Sequence, residues 1–306
     1  MPEQVMISEV APRDGLQSIG PFVPTETKIA MVEALYAAGA RRMEVGSFVS
    51  PRHVPQMSDT AAVLRAAKQL PGLECTVLVP NRKGFDLAME AGADRLGFFM
   101  SVTEAHNRAN LNRTRAESLA ELSGLVREGG AAGVAMRFNL SCAFHCPFEG
   151  VVPVAEATDM IERVFSLDPT MEIGIADTTG NAAPDQVAAV FRHALASWNN
   201  PFAFHGHDTY GMGLANALAA FEAGCRIFDG AAGGLGGCPF APGATGNTAT
   251  EDLAWMFARM GVETRLDWPK LLEAADFCAA VPGGMPGGRM RGVAAARSAG
   301  MPPAAN

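Results

Sequence analysis

Two histidines in the segment Phe204-His-Gly-His-Asp208 form the sharpest chemical signal in this 306-residue sequence. On an extended segment, residues i and i+2 point to the same side, so both imidazoles can face one site. Neutral imidazole is a common metal ligand, and two convergent rings need only one or two oxygen ligands to hold a divalent ion. Hydrogen bonding of both rings to strand-end carbonyls is the alternative, but the apolar context of the strand favours a metal site over it.

Oxygen ligands for such an ion are available at two distant places in the chain. Asp14 follows the first predicted strand, and Asn247 ends a glycine-rich run after the last one. A mixed nitrogen and oxygen set suits an octahedral ion with free positions, such as Mg²⁺ or Mn²⁺, better than a closed structural Zn²⁺ site. If the fold brings both residues to one rim, the predicted metal ligands are Asp14, His205, His207 and Asn247.

The elements that would position these residues alternate regularly. Short apolar runs rich in strand-forming residues are followed by longer segments with the i, i+3, i+4 apolar spacing of helices, and many of these end in a glycine turn. The eight predicted strands cover residues 5–10, 42–47, 75–79, 95–100, 134–140, 171–176, 201–206 and 226–231. Eight strand–helix pairs indicate a parallel sheet that closes into a TIM (β/α)8 barrel.

A doubly wound open sheet is the alternative fold. It usually has fewer units and a glycine-rich first turn, whereas the first turn here is Pro12-Arg13-Asp14-Gly15. We therefore predict a catalytic barrel over residues 1–262, a C-terminal helical extension over 263–282, with its helix at 267–281, and a disordered tail over 283–306.

Chemistry in such a barrel takes place at the carboxyl ends of the strands. Unusual polar residues collect at the predicted ends, which supports a functional site there. They are Arg13, Asp14, Glu44, Asn139, Asp177, Thr178, Thr179, His205, His207 and Asp208.

Composition excludes several function classes. The net charge is −8, and no block of Lys and Arg occurs, which argues against a nucleic-acid partner while leaving a local basic pocket for a phosphorylated ligand open. Six cysteines are too few for a disulfide scaffold and indicate reduced thiols. The start of the sequence lacks the features of a secretory signal, and no apolar run reaches about 18 residues. We expect a soluble cytoplasmic protein with no membrane partner. The sequence does not decide whether the protein forms a homo-oligomer.

Three segments resemble one family, the hydroxymethylglutaryl-CoA lyases, which are metal-dependent barrels of the lyase and Claisen-condensation type. Residues 9–17 (EVAPRDGLQ) resemble the family's first-strand motif, and residues 204–213 (FHGHDTYGMG) its histidine motif. Residues 234–252 (GLGGCPFAPGATGNTATED) resemble its loop signature, including the cysteine, and this is the most specific of the three. The resemblance extends over roughly residues 5–260.

The resemblance implies a role for each matching residue. Asp14, His205, His207 and Asn247 would bind the divalent cation, and Arg13 would stabilise a thioester enolate. Cys238 would be the loop thiol that delivers or removes a proton, although a small residue in a tight glycine turn is its structural alternative. Glu44 and Asp177 match acidic positions near the substrate.

The implied reaction is a retro-Claisen cleavage of (S)-3-hydroxy-3-methylglutaryl-CoA to acetyl-CoA and acetoacetate. A base must take the proton of the 3-hydroxyl group, and the sequence does not choose between His205 and Asp177. The same mechanism on another 3-hydroxy-3-methylacyl-CoA, such as citramalyl-CoA or a longer branched homologue, is the nearest alternative. A Claisen-condensing synthase and a binding protein on an inactive barrel are further alternatives, which the Cys238 loop and the intact set of polar residues disfavour.

Overall fold

A closed barrel of eight parallel strands forms the centre of the molecule. The computed structural model describes residues 3–237 and 246–298. The strands neighbour one another in chain order, and the first pairs with the last, as in Ile7 opposite Phe228. The strands are β1 (Met6–Glu9), β2 (Arg42–Ser47), β3 (Glu74–Leu78), β4 (Arg95–Ser101), β5 (Ala135–Ser141), β6 (Glu172–Asp177), β7 (Phe202–Gly206) and β8 (Ile227–Gly230). The predicted TIM barrel is confirmed, with each strand within one residue of its predicted ends, and the open-sheet alternative is wrong.

Helices surround the barrel, and the first eight of them connect successive strands. Most bury one apolar face, as α6 (Val154–Phe165) does with Ala157, Met160, Ile161 and Val164, which follow the i, i+3, i+4, i+7 spacing of a helix stripe. The helices are α1 (Thr25–Ala37), α2 (Thr60–Ala67), α3 (Arg82–Glu90), α4 (Glu104–Leu111), α5 (Arg115–Ala131), α6 (Val154–Phe165), α7 (Pro184–Ser197), α8 (Gly213–Glu222), α9 (Thr250–Arg259), α10 (Trp268–Ala279) and α11 (Met290–Ser298).

The barrel interior contains buried ion pairs as well as the apolar side chains that usually fill such a core. Arg137 on β5 forms a two-pronged pair with Asp229 on β8, at 2.8 and 2.6 Å, and lies 3.4 Å from Glu172 on β6. Arg42 on β2 reaches the same Glu172 at 2.7 Å. These side chains therefore tie four strands together across the barrel.

The C-terminal segment departs in part from expectation. Helix α10 lies where the extension was predicted, but α11 occupies residues 290–298, so the prediction of a disordered tail is wrong there. The carboxylate of Asp252 on α9 accepts hydrogen bonds from the backbone N–H groups of Arg289 and Met290, at 2.9 to 3.0 Å, and this holds the start of α11. Residues 299–306 lie outside the described part of the chain.

Two further expectations concern membranes and thiols. Over residues 3–237 and 246–298, every helix is too short or too polar to cross a bilayer. The five cysteines within these ranges are buried and free of disulfides.

Candidate active site

A tight turn after β1 brings two charged residues to the carboxyl end of the barrel. The backbone N–H groups of Arg13, Asp14 and Gly15 all converge on the carbonyl of Val10, at 3.1, 2.8 and 3.2 Å, and form a π-helical turn over Ala11–Gly15. Such turns are rare and occur frequently at functional sites. Both charged side chains are buried, so their charges must be met by neighbouring groups.

The two histidines of β7 face one site, as the i, i+2 spacing predicts. Their ring centroids are 5.2 Å apart. The Nε2 atoms of His205 and His207 lie 3.9 and 3.7 Å from the same oxygen, Oδ2 of Asp14. One ligand atom from each of these three residues lies within 4.8 Å of the other two, which forms a possible metal-binding triad.

Asn247 reaches the same place through a short backbone pairing. The residue forms an antiparallel bridge with His207, and the N–H of the next residue, Thr248, donates to the carbonyl of Gly206 at 2.9 Å. Its side-chain Nδ2 donates to Asp14 Oδ2 at 2.9 Å. Its Oδ1 atom is buried and has no hydrogen-bond partner within the described part of the chain. A buried orphan oxygen beside a carboxylate and two imidazoles is what an oxygen-binding cation would satisfy.

Two glycines make the approach of Asn247 possible. Gly236 and Gly246 have φ angles of 128° and 97°, a region that favours glycine. A Cβ atom on Gly236 would overlap the amide of Asn247, and one on Gly246 would overlap the carbonyl of Gly234. Between these glycines, residues 238–245 lie outside the described residues, and the predicted thiol Cys238 is among them.

Arg13 lies between two carboxylates. Its Nε donates to Glu44 Oε2 at 2.8 Å, its Nη2 donates to the same oxygen, and its Nη1 donates to Asp14 Oδ1. Burial opposes the charge of the guanidinium, but the neighbouring carboxylates outweigh it and raise the pKa of Arg13. Arg13 is therefore a permanent cation whose orientation Glu44 fixes.

The charge of Asp14 is also settled by its neighbours. Burial alone would raise its pKa, but Arg13, His207 and His205 together hold the pKa of Asp14 well below its usual range. Gln17, which follows in the same motif, adds a hydrogen bond from Nε2 to Asp14 Oδ1 at 2.7 Å. Asp14 is thus ionised and offers an oxygen to a cation, and Gln17 is a site residue that sequence analysis did not single out.

Asp177 lies at the end of β6, next to the histidine strand. The backbone N–H of His207 donates to its carbonyl at 3.3 Å. Its carboxyl accepts hydrogen bonds from the backbone N–H groups of Asn181 and Ala182 and from Nδ2 of Asn216, at 3.1, 3.2 and 3.4 Å. Burial raises the pKa of Asp177 to about 6 despite these donors. The hydrogen bonds hold the loop after β6, and the raised pKa suits proton transfer near neutrality.

Two buried residues of the barrel interior complete the site, and sequence analysis missed their role. Asp229 Oδ2 lies 3.0 Å from His205 Nδ1, and Arg137 holds Asp229 from the other side. Burial would lower the pKa of His205, but its pairing with Asp229 and the charge of Asp14 raise it. The sequence feature that could have indicated these residues is one charged side chain within each of two apolar strands: Arg137 in residues 134–140 and Asp229 in residues 227–230.

Together, these contacts bring Arg13, Asp14, Glu44, His205, His207 and Asn247 to one rim. The donors are two nitrogens and at least two oxygens, which fits a divalent cation with free coordination positions. Arg13 adds a fixed positive charge beside that place. A cation and a guanidinium in one buried site can stabilise an oxyanion or an enolate.

Comparison with known proteins gives consistent results. A family model described as HMGL-like matches residues 4–278. The mitochondrial hydroxymethylglutaryl-CoA lyase of Mus musculus is 42% identical over 281 residues, which covers 90% of this chain and 85% of that protein.

Solved structures agree with the sequence matches. The crystal structure of the HMG-CoA lyase of Bacillus subtilis superposes with a TM-score of 0.89 at 38% identity, covering 96% of this chain and 99% of that one. An HMG-CoA lyase from Acinetobacter baumannii, solved in complex with coenzyme A and 3-methylmalate, has a TM-score of 0.90 at 37% identity, with coverage of 98% and 97%.

Proposed function

Because this chain belongs to the HMGL-like family and matches hydroxymethylglutaryl-CoA lyases over most of its length, we propose that it cleaves (S)-3-hydroxy-3-methylglutaryl-CoA to acetyl-CoA and acetoacetate. The observation that carries the proposal is the convergence of Asp14, His205 and His207 beside the buried guanidinium of Arg13. A retro-Claisen cleavage needs both parts of this arrangement, because it must ionise a tertiary alcohol and then carry an enolate.

The proposed cofactor is Mg²⁺ or Mn²⁺, held by Asp14, His205, His207 and Asn247. The unpartnered Oδ1 of Asn247 and the ionised Asp14 support this assignment. When bound, such a cation acts as a Lewis acid that lowers the pKa of the substrate's 3-hydroxyl group and fixes the bond to be cleaved.

Arg13 is the proposed electrostatic catalyst. Its guanidinium would donate to the thioester oxygen as negative charge develops there, and removing one such preorganised donor typically costs about 10²- to 10³-fold in rate. Glu44 holds the guanidinium in position through two of its nitrogens, so that little reorganisation is needed during the reaction.

Proton transfer would use other side chains. His205 or Asp177 would take the proton of the 3-hydroxyl group. The pKa of about 6 supports Asp177, and His205, which lies beside Asp14, could act as the base only while its Nε2 is not bound to the cation. Cys238 would return a proton to C2 of the acetyl-CoA carbanion. A thiol with an ordinary pKa near 8.5 is a suitable donor for a carbanion near neutral pH.

The proposed partner is a small-molecule acyl-CoA. The relative from Acinetobacter baumannii that binds coenzyme A and 3-methylmalate supports an acyl-CoA ligand and a hydroxy-acid part. A reducing compartment, the cytoplasm, is proposed because the described cysteines are all free.

An assay of acetyl-CoA release tests the proposal directly. With Mg²⁺, the protein should release acetyl-CoA and acetoacetate in equal amounts from hydroxymethylglutaryl-CoA, and a chelator should stop the reaction until Mg²⁺ or Mn²⁺ is restored. A panel containing citramalyl-CoA and longer branched homologues distinguishes the acyl group. Full turnover by metal-free protein would contradict the metal site, and cleavage of another panel member alone would contradict the proposed substrate.

A further inference from the structure

His205 uses its two ring nitrogens in opposite directions. Nδ1 lies 3.0 Å from Oδ2 of Asp229, inside the barrel, and Nε2 lies 3.9 Å from Oδ2 of Asp14, at the rim. We propose that Asp229 is a positioning residue that keeps the hydrogen of His205 on Nδ1 and so directs the lone pair of Nε2 to the metal site. The inference rests on the proposed function, because it assigns the residue that orients one of the proposed ligands.

The chemistry of Asp229 leaves little choice of tautomer. An ionised carboxylate only accepts hydrogen bonds, so the imidazole nitrogen that faces it must donate. Arg137 supports the ionised form, because its Nη1 and Nη2 donate to Oδ1 and Oδ2 of Asp229 at 2.8 and 2.6 Å. This fork also fixes the plane of the carboxylate, and therefore the direction from which it accepts.

Arg137 is itself held in place. Its Nε donates to Oδ1 of Asn139 at 2.7 Å, and Glu172 lies 3.4 Å from its Nη1. Arg137, Glu172 and Asp229 are all at most 3% exposed in their side chains, so water does not compete for these contacts. The support for His205 is thus built from rigid strands of the barrel core, which holds a site more accurately than loops do.

The two proposed histidine ligands differ in this support. Nδ1 of His207 is buried without a hydrogen-bond partner among residues 3–237 and 246–298, whereas Nδ1 of His205 faces a clamped carboxylate. A histidine can bind a metal or accept a proton at Nε2 only when that nitrogen carries a lone pair. The Nδ1–H tautomer fixed by Asp229 would therefore suit either role considered for His205, as ligand or as base, and the single lone pair of Nε2 can fill only one of them at a time.

Substitution of Asp229 by Asn tests this role. Asn has the same shape as Asp, but one of its two side-chain positions is an NH2 donor. If the NH2 group faces Arg137, two donors oppose each other. If it faces His205, Nδ1 must accept, and the hydrogen of the imidazole moves to Nε2. Loss of a carboxylate that orients a metal-binding histidine typically weakens metal affinity about 10- to 100-fold. We expect that loss for Mn²⁺ in calorimetry or electron paramagnetic resonance titration of Asp229→Asn.

Glu172→Gln is the matched control. It replaces another carboxylate of the same buried interior by an amide whose oxygen can still accept from Arg137. Among the described residues, Glu172 pairs with Arg42 and Arg137 and not with His205. The Mn²⁺ affinity of this variant should stay within about twofold of that of the unsubstituted protein. That change is far smaller than the loss of about 10- to 100-fold expected for Asp229→Asn. Equal losses in both variants, or unchanged affinity in folded Asp229→Asn, would overturn the inference.

A second measurement needs no substitution at Asp229. Long-range ¹H–¹⁵N spectra of histidine-labelled, metal-free protein at pH 9 report which ring nitrogen carries the hydrogen, and His205→Asn identifies the signal by its loss. We expect the Nδ1–H form, and the Nε2–H form would overturn the inference. If the unsubstituted protein shows this form but binds no Mn²⁺, the proposed metal site fails while the positioning by Asp229 stands.

Discussion

Replacement of Arg13 by Met should lower both stability and turnover, for two separable reasons. The guanidinium neutralises Glu44, whose side chain is 2% exposed, through two hydrogen bonds to one oxygen. Removing one partner of a buried ion pair leaves an uncompensated charge and typically costs about 3–5 kcal/mol. Removing a donor aimed at developing negative charge costs about 10²- to 10³-fold in kcat.

The double variant Arg13→Met/Glu44→Met separates the two effects. Replacing both members of a buried pair by apolar residues of similar size is often neutral for stability, so the free energy of unfolding should largely recover. Part of the loss should remain, because Asp14 also loses a hydrogen bond from Arg13, although Gln17 and Asn247 continue to donate to it. Turnover should not recover, because the guanidinium is still missing.

Three measurements compare these proteins. Urea unfolding followed by circular dichroism gives the stability, acetyl-CoA release at saturating Mg²⁺ gives kcat, and Mn²⁺ titration gives metal affinity. Metal affinity should not fall in Arg13→Met, because a positive charge beside Asp14 opposes a cation. Arg13→Lys should restore turnover only in part, since a point charge lacks the planar fork of the guanidinium. Recovered turnover in the double variant would refute the catalytic role of Arg13, and a single variant as stable as the unsubstituted protein would refute the argument from buried charge.

Further predictions concern a buried acid and the glycine-rich loop. Burial raises the pKa of Glu251 from 4.5 to about 8. The folded state therefore binds this proton more tightly than the unfolded state, and the contribution of Glu251 to stability falls as pH rises from about 4.5 to 8. Glu251→Gln should gain stability relative to the unsubstituted protein at pH 9 but not at pH 4 in urea unfolding, and an equal difference at both pH values would contradict this. Gly236→Ala should displace the amide of Asn247 and weaken Mn²⁺ binding about tenfold or more, whereas Gly72→Ala, also at positive φ but with open space around it, should cost only stability. Cys238→Ser should fold and bind Mn²⁺ normally yet turn over far more slowly, because a hydroxyl is a much weaker acid than a thiol; equal deuterium exchange into the methyl group of acetyl-CoA in both proteins would remove Cys238 from the mechanism.

The barrel and its rim could be predicted because both follow from local patterns. Alternating strand and helix segments define a parallel sheet, and the carboxyl ends of parallel strands meet at one rim. Asp14 and the two histidines of β7 could therefore be assigned to one site although about 190 residues separate them in the chain. The assignment needed only the strand order and the alternation of side chains along β7.

The helix α11 could not be predicted, because the residue that stabilises its first turn is distant in the sequence. A nine-residue helix is marginal by itself in water, and its composition resembles that of a mobile tail. Asp252 stabilises the start of this helix by accepting hydrogen bonds from the N–H groups of Arg289 and Met290, which lie 37 and 38 residues later in the chain. Only the packing of α9 against the C-terminal segment brings these groups together.

The buried support of the site has the same origin. Arg137 and Asp229 are 92 residues apart, and each alone looks like an ordinary charged residue in a strand. When β5 and β8 enclose one interior, the two charges must meet, because an unpaired charge in that space would cost several kcal/mol. Oδ2 of Asp229, which accepts from Arg137, also faces Nδ1 of His205, and Nε2 of His205 is then the nitrogen that faces Asp14. The tautomer of His205 would thus be set from inside the barrel, so Asp229→Asn is expected to weaken metal binding although no rim residue is changed.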